Sequence, residues 1–97
     1  KAEIKASEPL VDVRSNAENA FVIAELPGVR KEEIDIRLDG LRLSISASSQ
    51  ESFFKQVLLP FQVEENPEKS SFNNGILELV FKKKQLRKLK GKKVRID

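Results

Sequence analysis

Neither cysteine nor histidine occurs among the 97 residues. The first absence removes disulfides, thiolate zinc sites and thiol nucleophiles together, and fits a reducing compartment such as the cytoplasm. The second removes the usual general base and the commonest transition-metal ligand. No apolar run approaches the ~20 residues of a membrane-spanning helix, and no signal-peptide pattern is visible, so membrane insertion is not expected. The four glycines are isolated, so no Gly-rich phosphate loop is present. Glu32-Glu33 reads as helix-start chemistry, since carboxylates favour the first turn. Asp35, Asp39 and Gly40 lack the spacing of an EF-hand and read as part of a hairpin. With no catalytic constellation, the expectation is a protein that is not an enzyme and needs no cofactor or metal.

What is there is enough for one domain. A chain of 97 residues buries roughly two-thirds of its unfolded surface, which gives one core without metal or disulfide support. The net charge of +3 hides a division. Residues 1–81 carry 9 basic and 14 acidic side chains; residues 82–97 carry 9 basic and a single Asp. The body is acidic and the tail is basic. The chain begins at Lys1 rather than Met, so a longer parent chain is one expectation.

The body reads as short strands with period-2 alternation. Val11 and Val13 alternate with Asp12 and Arg14. Phe21–Leu26 (FVIAEL) is almost wholly apolar, as a central strand buried on both faces would be, and Pro27-Gly28 stops it. Ile34, Ile36 and Leu38 alternate with acidic and basic residues, after a stretch (RKEEI, 30–34) fit for a single helical turn. Asp39-Gly40 signals a hairpin into Leu41, Leu43 and Ile45. Phe53, Lys55, Val57 and Leu59 form a further set, closed by Pro60. A polar loop follows at 64–68, and Asn74-Gly75 turns the last hairpin into Ile76–Phe81. These elements predict an all-β, immunoglobulin-like β-sandwich of about seven short antiparallel strands.

After Phe81 the character changes. KKKQLRKLKGKK is a basic tether whose large apolar residues are Leu86 and Leu89, with room for a frayed helical turn. Val94-Arg95-Ile96 then puts two β-branched residues on one side of an extended end. The ten residues from Lys84 to Lys93 span at most about 35 Å, enough to reach a neighbouring subunit. A basic tether could attract nucleic acid by charge, but it has no aromatic residue for base stacking, so nucleic acid is not the expected partner.

Three stretches carry a family resemblance: PLVDVRSNAENAFVIAELPGVRKEEIDIRLDGLRLSIS, FFKQVLLP and SSFNNGILELVFKK. Together they resemble the α-crystallin domain of the small heat-shock proteins over roughly residues 9–83. Val94-Arg95-Ile96 is similar to that family's C-terminal Ile/Val-x-Ile motif. The resemblance implies an ATP-independent holdase chaperone that binds partly unfolded client proteins and self-associates to a dimer or larger. It implies three regions: an N-terminal flank (1–8), the sandwich (9–83) and a basic C-terminal extension (84–97). It also implies that Val94 and Ile96 anchor in a hydrophobic groove of a neighbouring subunit. Candidate groove residues are Ile34, Ile36, Leu38 and Phe72, and Asn74 and Gly75 form the hairpin turn that sets the register of Phe72, Leu77 and Leu79.

The sequence departs from the family's pattern in several places, the loop after the Leu41–Ala47 strand first among them. Only Ser48–Ser52 separates the Leu41–Ala47 strand from the Phe53 strand, where many members carry a longer loop with a strand swapped into the dimer partner. Five residues leave no swapped-strand loop, so the candidate dimer edge becomes Phe53, Lys55 and Val57. Glu68 sits where relatives often have an apolar residue, which would make the groove shallower. The alternative reading is an α-crystallin/CS-type protein-interaction module, cut from a larger protein such as a targeting ATPase or a gas-vesicle-associated protein.

Overall fold

A computed structural model describes residues 7–85 and 91–97. Among them are seven strands: β1 (Val11–Ser15), β2 (Asn19–Glu25), β3 (Ile34–Asp39), β4 (Arg42–Ser48), β5 (Ser52–Leu58), β6 (Lys69–Asn73) and β7 (Ile76–Lys82). They form two antiparallel sheets, one ordered β1-β2-β7-β6 and the other β3-β4-β5. The two sheets face each other as a sandwich, so most strands turn alternate residues inward. Val22, Ala24, Leu77, Leu79 and Phe81 come from the larger sheet. Leu43, Ile45, Ala47 and Phe53 meet them from the smaller.

Two hairpin tips fix the register. Asn73 pairs with Ile76, leaving Asn74 (φ 50) and Gly75 (φ 77) as a two-residue loop. Positive φ at both central residues is the type I′ requirement, whose twist matches that of the flanking strands. The β3–β4 hairpin is displaced by one residue from the expected Asp39-Gly40. Asp39 still pairs with Arg42, so the loop is Gly40-Leu41, with Gly40 alone at positive φ (61).

The FVIAEL strand is central in its sheet, but it is not buried on both faces. Val22, Ala24 and Leu26 are fully buried while Ile23 is 42% exposed. A two-layer sandwich has nothing to cover the outer face of its central strands, so Phe21 and Ile23 remain at the surface. The RKEEI stretch does form one turn, a 3-10 helix at Lys31–Glu33. The Arg30 N–H donates to Glu33 Oε1 at 2.8 Å.

Strand pairing continues past β7 into the tether. Val63 bridges Lys83, the Lys84 N–H donates to Gln62 O at 2.8 Å, and the Lys83 N–H donates to Glu18 O at 2.7 Å. The Lys83 ammonium lies over the Phe61 ring, 5.1 Å from its centroid. Leu86, Leu89 and the expected frayed turn lie outside the described residues.

Candidate functional site: an open groove and a partly covered edge

The two ends of the sandwich differ. At one, the edge strand β3 faces the loop that leads into β6, and between them lies a groove of about 470 Å³. Its apolar lining is Ile36, Leu38, Leu43, Leu79 and Phe81, and its rim is Glu65, Asn66 and Pro67. Ile36 and Leu38 reach the groove because alternation on β3 turns Asp35, Arg37 and Asp39 outward. Because β3 has a hydrogen-bonded neighbour on only one side among the described residues, its other side also offers backbone groups without a strand partner there, beside the apolar lining.

Of the four groove residues read from sequence, Ile36 and Leu38 line this space. Ile34 and Phe72 are not among its lining residues, though all four are half-buried against the core. Leu79 and Phe81 contribute lining that alternation alone assigns to the core. Glu68 does not reach the groove: its carboxylate accepts from Asn19 Nδ2 at 3.3 Å, and Glu65 is the acidic rim residue. Val94 is 83% exposed and Ile96 is 94% exposed, so neither of the residues expected to act as an anchor is buried on its own chain.

At the other end, Ser48 pairs directly with Ser52, closing β4 and β5 into a tight hairpin with no room for an extra strand. Phe53 is only 7% exposed and belongs to the core. Lys55 and Val57 share its inward side and are half-buried. The side chains that β5 presents outward are Phe54, Gln56 and Leu58, so the apolar surface here is offset by one residue from the expected set. Ser7 also lies against β5 as an isolated parallel bridge to Phe53. Lys55 Nζ sits 3.5 Å from Glu8 Oε2.

The titratable groups do not converge on a chemical site. Among the described residues no cluster of three or more His, Cys, Asp or Glu could hold a metal. No described helix is long and apolar enough to cross a membrane. The arrangement offers surfaces for extended polypeptide.

The Hsp20/alpha crystallin family model matches residues 12–97. The chain belongs to that family. Small heat shock protein C4 of Rickettsia felis is 28% identical over 110 residues, which covers 96% of this chain and 66% of that protein. That alignment is longer than the 97 residues of this chain, so the relative carries insertions here. A probable 15 kDa heat shock protein of Leptospira interrogans is 26% identical over 100 residues, covering 88% of this chain and 77% of its own length. In three dimensions, Heat shock protein 16.0 from Schizosaccharomyces pombe matches with a TM-score of 0.74 at 24% identity, covering 95% of this chain and 77% of that one. A small heat-shock protein from Xylella fastidiosa gives 0.69 at 20% identity, covering 91% of this chain and 96% of that one. The chain thus has the β-sandwich of the α-crystallin domain.

Proposed function

We propose that this chain is an ATP-independent holdase chaperone, or the core of one, acting in the cytoplasm on partly unfolded proteins. It works by binding and not by catalysis. The observation that carries this reading is the apolar groove on the unpaired β3 edge, lined by Ile36, Leu38, Leu79 and Phe81. An unfolding client exposes extended segments with apolar side chains, and such a groove binds that chemistry without reading much sequence.

Val94 and Ile96 are the chain's own ligand for the same groove on a neighbouring subunit. Both are exposed, and the basic tether suits an acidic body on the partner. Burying two such side chains gives roughly 3–6 kcal/mol gross. Ordering the tether costs about 1–2 kcal/mol per fixed residue and offsets much of that. The contact is therefore weak and exchangeable, so clients and tails compete for the groove. In this reading residues 1–8 are a flank, 9–83 the sandwich and 84–97 the extension.

The second reading, an interaction module, draws support from the tight Ser48–Ser52 hairpin and from Ser7 lying on β5. A module of that kind would stay monomeric and bind one defined partner.

The test is turbidity of a heat-unfolding client without nucleotide. The chain lowers client aggregation in proportion to its concentration. Excess Lys92–Asp97 peptide reduces that protection by filling the groove. Protection unaffected by saturating peptide would remove the groove from the mechanism. A folded chain with no protection at any ratio would favour the module.

A further inference from the structure

Backbone geometry on β5 determines what its outer side can accept. The Ser7 N–H donates to Ser52 O at 2.7 Å, and the Phe54 N–H donates to Ser7 O at 3.0 Å. Since bonding groups alternate along an antiparallel strand, Ser52, Phe54, Gln56 and Leu58 point their N–H and C=O groups outward. Phe53, Lys55 and Val57 bond inward to β4, in register with Ala47, Ile45 and Leu43.

The residues with outward backbone groups also carry the exposed apolar side chains. Phe54 is 48% exposed and Leu58 is 68% exposed, with Gln56 between them. That pattern is self-complementary. If a second copy pairs antiparallel about a twofold through Gln56, Phe54 of each copy lies opposite Leu58 of the other. Gln56 then meets its own equivalent. Two apolar cross-strand pairs flank a neutral polar one, with no like charges opposed.

The chain's own N-terminal segment lies in the way. Ser7 takes the Phe54 N–H and the Ser52 carbonyl, and Ser7 Oγ donates to Glu51 Oε1 at 2.6 Å. Glu8 holds Lys55 from the same segment. Pro9 has no N–H with which to extend the ladder, and Leu10 O instead accepts the Glu25 N–H at 2.9 Å, which carries the chain across to the other sheet. With the Phe54 N–H and the Ser52 carbonyl taken, Gln56 and Leu58 are the β5 residues that keep both outward groups free of a backbone partner among the described residues. That is too little for a strand pair, which ordinarily runs five or six residues.

We propose that the Ser7–Pro9 segment is a strap that competes with the β5 edge of a second copy of this chain, and so gates self-association through that edge. The proposal does not depend on the chaperone reading. It concerns an edge on the opposite side of the sandwich from the groove.

The test measures the monomer–dimer equilibrium by sedimentation, in the 97-residue chain carrying Val94→Ser and Ile96→Ser so that the tail contributes nothing. Ser7→Pro removes the N–H that bonds Ser52. It tightens dimerisation at least about tenfold, given the hydrogen bonds that otherwise compete. Adding Gln56→Pro, which removes an outward N–H without touching the β4 ladder, abolishes the gain. Unchanged association in Ser7→Pro overturns the proposal, and so does a gain that survives Gln56→Pro. Should Ser7→Pro fail to fold, Glu8→Lys sets two cations together and loosens the strap from its surface. A smaller gain in the same direction is then expected, and none would overturn it. Amide exchange gives an independent readout. Phe54 N–H is protected in the monomer, and free exchange there would mean the strap is not formed.

Discussion

The carbonyl of Gly75 accepts the backbone N–H of Leu26 at 2.7 Å, tying the tip of the β6–β7 hairpin to the end of β2. Leu26 is fully buried, so the turn is anchored in the core although it sits at the surface. Replacing Gly75 by Val puts a β-branched residue at φ 77, a region it adopts at a cost of about 1–3 kcal/mol. A Cβ there meets nothing closer than 3.5 Å, so the loss comes from backbone conformation and not from collision. Chemical denaturation of Gly75→Val is expected to show a lower midpoint with an unchanged slope. Equal midpoints would mean that the turn does not need positive φ at this position.

Glu33 makes stability depend on acid. The Arg30 N–H bonds its carboxylate, and this bond, with the Arg30 guanidinium adding to it, holds the carboxyl below its ordinary value of 4.5. A carboxyl held low in the folded state stabilises above its unfolded value, and that contribution is lost as pH falls through the folded one. Melting temperature is therefore expected to fall more steeply below about pH 4.5 in the parent than in Glu33→Gln. Parallel curves would show that the turn at Lys31–Glu33 gains nothing from the charge.

Much of the fold was legible because turn chemistry and alternation are local. Asn74-Gly75 announces a tight hairpin by residue type alone, and Ile34, Ile36 and Leu38 announce a strand with one face turned inward. The FVIAEL strand misled because apolar character on both faces does not say whether a third layer exists. Asp39-Gly40 misplaced a turn by one residue because Gly40 works equally well as the first loop residue. The groove was half legible. Ile36 and Leu38 stand out, whereas Leu79 and Phe81 look like ordinary core, are almost fully buried, and meet the groove only at its base. The Ser7 bridge had no signal at all, since it is made by backbone groups that nearly every residue has. Pro9 marks where it must stop, not where it begins.

In the proposed function, Val94 and Ile96 assemble this chain by docking in the β3 groove of a neighbour. The direct measurement is mass by light scattering across a concentration series, for the parent chain and for Val94→Ser with Ile96→Ser. Docking of this kind predicts a parent that is dimeric or larger and dissociates on dilution, with dissociation constants no tighter than about 10 µM for so small an anchor. It predicts a lower mass for the double variant at every concentration, with the same melting temperature. Identical masses for the two proteins, or a parent that stays monomeric at the highest concentration, would contradict it.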